Sequence, residues 1–104
     1  MTDRELLEAA AKAAGLLVWD WLPGPHGFAI ETAPGHSRRW NPLTDDGDAL
    51  RLAVKLRLEV WNNGQEGCAA YDESSDMVAE WNNGDPYAAT RRAIVSAAAA
   101  MVKA

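Results

Sequence analysis

Apolar residues recur at helical spacing in three stretches of the chain and at strand spacing between them. Leu6, Leu7, Ala10 and Ala14 stand three or four apart, which gathers them on one face of a helix. Thr2-Asp3-Arg4-Glu5 precedes them with the Thr-x-x-Glu spacing of a capping box, and Gly15 follows where a left-handed residue can end the helix. The first helix is predicted over 3–14. Leu16-Leu17-Val18-Trp19-Asp20-Trp21 and Phe28-Ala29-Ile30-Glu31-Thr32 are apolar, aromatic and β-branched, as strands are. Pro23-Gly24-Pro25-His26-Gly27 connects them as a loop, and Pro34-Gly35 closes the pair. Arg38, Arg39 and Trp40 then lead into an Asn41-Pro42 turn.

Asp45 can cap a second helix, with Asp46 and Asp48 in its first turn, where negative charge meets the positive end of the helix dipole. That helix is predicted to about residue 57, with Lys55 and Arg57 at its negative end. Leu58-Glu59-Val60-Trp61 alternates as a strand, and Asn62-Asn63-Gly64 supplies a hairpin turn. Gly67–Tyr71 and Met77–Trp81 are further strands, separated by the polar run Asp72-Glu73-Ser74-Ser75-Asp76. Trp61-Asn62-Asn63-Gly64 and Trp81-Asn82-Asn83-Gly84 repeat four residues and read as two similar strand ends. Asp85 caps the last helix with Pro86 at its first position, and Tyr87, Ile94, Ala98 and Met101 share one face. The expected order is α-β-β-α-β-β-(β)-α. It makes residues 1–104 one α+β domain, with a mainly antiparallel sheet of four or five strands and three helices packed on it.

Trp40-Asn41-Pro42 leading to Asp45-Asp46-Gly47-Asp48-Ala49, the short first helix ending in Ala-Gly, and the closing Asp85-Pro86-Tyr87-Ala88-Ala89-Thr90-Arg91-Arg92-Ala93-Ile94-Val95 resemble the phage ABA-sandwich-domain family. The resemblance touches about two-thirds of the chain. It implies a sheet sandwiched by helices, a three-layer α/β/α arrangement, and a phage or prophage origin. It implies no catalytic residues.

A net charge of −5 disfavours phosphate binding, so nucleic acid ranks last among partners. Cys68 is the single cysteine, which leaves no intramolecular disulfide and no four-cysteine zinc site. A reducing bacterial cytoplasm is the expected home. Met1-Thr2-Asp3-Arg4-Glu5 lacks the basic and apolar regions of a signal peptide, and no apolar run is long enough to span a bilayer.

No enzyme signature is present. The three acids of Asp45-Asp46-Gly47-Asp48 invite a calcium or magnesium reading but lack the spacing of an EF-hand, and capping accounts for them. Asp72, Glu73 and Asp76 read as a solvated turn. His26 and His36 lie in Gly/Pro-rich loops. Two ligands are too few for zinc unless Asp20, Glu31 or Cys68 joins them, so no metal or other cofactor is expected. Cys68 has no neighbouring base to lower its pKa and reads as a small buried hydrophobe. Ser37, Ser74 and Ser75 lack a nucleophile-elbow context. Arg38-Arg39 and Arg91-Arg92 would hold an anion if they converged; otherwise Arg38 and Arg39 neutralise the acidic helix start and Arg91 and Arg92 cover the exposed side of the last helix.

The five tryptophans, Trp19, Trp21, Trp40, Trp61 and Trp81, supply either core or contact surface. Trp19 and Trp21 are two apart and share a face in a regular strand, which would make an exposed patch suited to a protein interface. The expected function is contact with a host or phage protein, or with a second copy through an edge strand such as 19–21 or 77–81, without catalysis. The competing expectation is a small-ligand- or metal-binding module or enzyme that uses the His26 and His36 loops with Arg38 and Arg39.

Overall fold

The first helix, α1 (Asp3–Ala13), begins with the capping box its sequence predicts. The Thr2 hydroxyl accepts the Glu5 amide at 3.1 Å and the Glu5 carboxylate accepts the Thr2 amide at 3.1 Å. Bonds from the Thr2 amide first, and its hydroxyl second, hold the Glu5 carboxyl below its ordinary pKa. The helix ends in a Schellman turn, in which the Leu16 amide reaches the Ala11 carbonyl at 3.0 Å and the Gly15 amide reaches that of Lys12 at 3.1 Å. Gly15 sits at φ +70°. The computed structural model describes residues 2–22, 26–63, 67–71, 78–81 and 85–102.

Strands β1 (Val18–Trp21), β2 (Phe28–Ala33) and β3 (His36–Trp40) follow as an antiparallel meander in the order β1-β2-β3. Phe28 and Ile30 alternate into the core while their neighbours are only partly covered, the period-2 signature of a half-buried strand. β3 differs from the expected approach to a turn. Its His36-Ser37-Arg38-Arg39 run is exposed throughout and has no apolar alternation to betray it; pairing with β2 across the Pro34-Gly35 turn makes it a strand. Gly27, at φ +73°, lies so close to the next connection that an added Cβ would run into the Trp40 carbonyl and the Asn41 side chain. The first hairpin is thereby keyed to the Trp40-Asn41 turn.

Helix α2 (Asp46–Lys55) leads into β4 (Glu59–Asn63), β5 (Gly67–Tyr71) and β6 (Val78–Trp81), a second antiparallel meander in the order β4-β5-β6. Asn62 and Asn63 pair within β4, opposite Cys68 and Gly67. Both asparagines are therefore strand residues and not the start of the expected turn, while Gly64 lies outside the described residues, as do Asp72, Glu73, Ser74, Ser75 and Asp76. Helix α3 (Pro86–Ala100) starts with the Asp85 carboxylate accepting the Ala88 amide at 3.0 Å and Pro86 in the first turn. The α+β class and the antiparallel pairing hold. The described strands number six, in two sheets of three, where the sequence suggests a single sheet of four or five.

The element order α-βββ-α-βββ-α exposes an internal correspondence. Ala11 and Ala53, Leu16 and Leu58, Val18 and Val60, and Trp19 and Trp61 are identical pairs set 42 positions apart. Each helix ends in the same way: the Leu58 amide reaches the Ala53 carbonyl at 2.9 Å and the Arg57 amide that of Val54 at 3.2 Å. Trp40 and Trp81 each close a meander and each precedes an Asn. The four-residue Trp-Asn-Asn-Gly repeat does not join equivalent places, because Trp61 is mid-strand in β4 and Trp81 ends β6. A helix with a three-stranded meander is thus present twice, and α3 completes the packing.

One continuous core holds the units together. Leu6, Leu7, Ala10 and Ala11 of α1 meet Phe28, Ile30 and Trp40 of the first sheet, Ala49, Leu52 and Ala53 of α2, Ala70 of β5, and the Ala89, Ala93, Val95, Ala97 and Ala98 surface of α3. Arg57 fills the left-handed position that Gly15 fills in the first unit, at φ +56°. A Cβ there costs about 1–2 kcal/mol. Replacing Arg57 by Gly should therefore raise the free energy of unfolding by about 1 kcal/mol, and Gly15→Ala should lower it by a similar amount. Urea denaturation of the two variants beside the parent checks both signs.

Candidate functional site

The acidic start of α2 is a structural clip. Asp45 caps the helix through the Asp48 amide at 2.8 Å, as its position predicts. Asp48 does more than face the helix dipole. It is only 4 % exposed, and its carboxylate accepts the Asn41 amide at 3.0 Å, an Arg38 guanidinium bond at 2.9 Å and an Arg51 bond at 2.8 Å. Burial alone would raise its pKa; Arg51, the Asn41 amide and Arg38 outweigh that and hold the carboxyl below its ordinary value. Around it, Asn41 accepts the Leu43 amide through its side chain and the Thr44 and Asp45 amides through its carbonyl. Trp40 and Pro42 are buried. The Trp-Asn-Pro turn is thus a joint between the first sheet and α2.

A polar cavity of about 320 Å³ opens beside this joint, lined by His26, Arg38, Arg39, Thr44, Asp45 and Arg51 among others. His26 Nδ1 lies 3.4 Å from Arg39 Nη1. The structure brings His26 to Arg38 and Arg39. It leaves His36 exposed at the start of β3, outside the cavity lining. Arg91 and Arg92 are engaged elsewhere. Arg91 is largely buried and bonds the Leu43 carbonyl at 2.8 Å and Asp46 at 2.6 Å, tying α3 to the turn before α2. This corrects the expectation that it covers an exposed helix face. Arg92 pairs with Asp3 of α1 at 2.8 Å. Among the described residues no group of three or more His, Cys, Asp or Glu is placed to hold a metal ion.

The tryptophans separate. A register shift between Val18 and Asp20 places a bulge at Trp19, so Trp19 and Trp21 do not share a face as a regular strand would require. Trp19 is 48 % exposed. Trp21 is half-buried, edge-on to Phe28 with ring centroids 4.8 Å apart and with the Arg4 guanidinium 5.4 Å from its ring. Trp40 is core. Trp61 is 53 % exposed in the second sheet. Cys68 and Trp81 hold strand positions in β5 and β6, and their side chains lie outside the described part of the structure.

The larger feature is apolar, and the sequence pattern does not announce it. A wedge of about 550 Å³ opens between α2 and β4 with α3 as its floor, lined by Ala49, Leu50, Ala53, Val60, Tyr87 and Ile94 among others. The 56–58 corner joins α2 to β4 at the helix end, and the Asp46–Arg91 ion pair lies at the start of α2. Leu50 and Tyr87 of the wedge are 64 % and 69 % exposed, and Val54 on the same helix is 69 % exposed. The first unit supplies a reference for these positions. Where α2 carries exposed Leu50 and Val54, α1 carries exposed Glu8 and Lys12, again 42 positions earlier. The apolar residues of α2 are thus divided, with Ala49, Leu52 and Ala53 packed in the core and Leu50 and Val54 facing solvent.

No helix among the described residues is long and apolar enough to cross a membrane. No protein-family model, curated protein or solved structure matches the chain.

Because the folded-state pKa of Asp48 is depressed relative to the unfolded chain, its contribution to stability is complete above the unfolded value and is lost as pH falls through the folded one, below about pH 4. Asp48→Asn should lower stability at neutral pH by about 2–4 kcal/mol and flatten the acid limb of the stability profile. Urea midpoints of parent and variant from neutral to acid pH check this.

Proposed function

We propose that this is a small phage- or prophage-type protein of the bacterial cytoplasm that acts without catalysis, by holding another protein in the wedge between α2 and β4. The phage origin rests on the resemblance of the Trp40-Asn41-Pro42 and Asp85-Pro86 segments. The observation that carries the interaction reading is the pair of exposed helix positions that are Glu8 and Lys12 in the first unit and Leu50 and Val54 in the second. The same local scaffold solubilises itself in one copy and presents apolar surface in the other, beside Val60 and Tyr87. Contiguous apolar surface of this kind marks contact sites.

A second reading is favoured by the polar cavity, where His26, Arg38 and Arg39 meet. It would suit a small anion. Arg38 and Arg51 there are already engaged by Asp48, which leaves Arg39 and His26 as the main groups a ligand would meet. The wedge is therefore preferred.

Tagged protein used to capture partners from bacterial lysate should retain a protein that the Leu50→Glu/Tyr87→Ser double variant loses, while the variant keeps the parent's unfolding midpoint because both side chains are mostly exposed. Equal retention by parent and double variant would count against the wedge, and a small anion carried through purification would favour the polar cavity.

A further inference from the structure

Resting on the wedge as the contact site, we propose that its occupant is an extended, basic segment of a partner protein, which adds as a strand beside β4 with its apolar side chains in the wedge. β4 is an outer strand of the second sheet, paired among the described residues with β5 alone. It is also one wall of the wedge. Val60 and Asn62 line the cavity, with the Asn62 amide donating to the Thr90 hydroxyl on the floor, while Trp61 alternates to the other face. A strand laid along this wall meets backbone groups on one side and the Leu50, Ala53 and Ile94 surface beneath.

Both outer strands of the first sheet are guarded. β1 carries the bulge at Trp19, which breaks the run of edge groups. β3 exposes Arg38 and Arg39. β4, built from the same Val-Trp sequence as β1, keeps an unbroken register across all five residues, from Glu59 opposite Tyr71 to Asn63 opposite Gly67. It contains no Lys or Pro, the usual guards of an edge strand. An edge left flat beside an open apolar wedge suits addition of a strand.

Charge selects the partner. Residues 58–85 hold seven acidic side chains and no Lys or Arg, against a total of −5 for the chain. The charges that line the wedge, Asp46 and Arg91, pair with each other, whereas Glu59 shares the outer face of β4 with Trp61, and Asp85 stands one residue before Pro86. On the α2 wall, Arg51 is turned onto Asp48 and Asp45, and Lys55 sits toward the closed 56–58 end. Pairing β4 with its own copy would bring no positive charge to Glu59, because β4 carries no Lys or Arg. A segment with Lys or Arg alternating with apolar residues meets the wedge with one face and Glu59 with the other.

A phage-displayed library of random dodecapeptides, selected on the full chain and counter-selected on Leu50→Glu/Tyr87→Ser, tests the proposal. The enriched sequences should alternate apolar residues with Lys or Arg. Synthetic copies should bind at least about tenfold more weakly when salt is raised from low to high and should protect the β4 amides from hydrogen exchange. Wedge-dependent peptides that are acidic or neutral, or whose apolar residues recur every three or four positions, would leave the wedge standing and overturn the strand. Concentration-dependent dimerisation lost in the double variant would make the occupant a second copy and overturn the basic partner. Failure to enrich any peptide sensitive to the double variant would overturn both the occupant and the wedge.

Discussion

Helices α1 and α2 and the second sheet are built against the small-residue surface of α3. Ala89, Ala93, Ala97, Ala98 and Ala99 are buried, together with Ile94 and Val95, so α3 is covered on more than the single stripe of a surface helix. Methyl side chains let α1, α2 and the second sheet approach the helix closely, and a larger side chain at such a position would overpack the core at a cost of about 1–3 kcal/mol. On another side of the same helix, Tyr87, Thr90, Arg91 and Ile94 line the wedge between α2 and β4.

The clip at Asp48 sets what α2 can do within that frame. A carboxylate taken almost completely out of water is tolerable only when its lone pairs are used, and here they are met by Asn41, Arg38 and Arg51. The Arg91 bonds to Leu43 and Asp46 fasten the same turn from the side of α3. The N-terminus of α2 is consequently held by the first sheet and by α3 at once, and its Leu50 and Val54 face outward because the opposite face is committed to the core. Their exposure follows from where the helix is anchored.

Much of this was legible in the sequence because it is local. Capping residues act within one turn, so Thr2 with Glu5, Gly15, Asp45 and Asp85 with Pro86 mark the helix ends, and the alternation around Phe28 and Ile30 marks β2. What escaped depends on partners distant in the chain. β3 has no apolar period, because an exposed outer strand does not need one. Trp19 and Trp21 obey the two-residue period only while the strand is regular, and the bulge removes it. Asp48 looks like its neighbours Asp45 and Asp46, since only the folded turn brings Arg38 and the Asn41 amide to it. The wedge was hidden for a related reason: an apolar side chain on a helix reads as core whether or not another element arrives to cover it. The signal that could have exposed it was the 42-residue correspondence, which sets Leu50 and Val54 opposite Glu8 and Lys12.

That correspondence also separates constraint from use. Two of the pairs kept identical between the two units, Ala11 with Ala53 and Leu16 with Leu58, sit at the helix ends and the core, where packing and Schellman geometry leave little choice. The differences include the α2 face and the β4 edge that bound the wedge. Charged helix positions become apolar, a glycine in the left-handed position becomes Arg57, a bulged strand edge becomes a regular one, and the acidic residues collect from Glu59 to Asp85. Three of these changes are unfavourable for an isolated domain: exposed apolar side chains cost solubility, a left-handed Arg costs stability, and a flat edge invites pairing. Exposed apolar surface and an open edge would both stop being liabilities if a segment covered them.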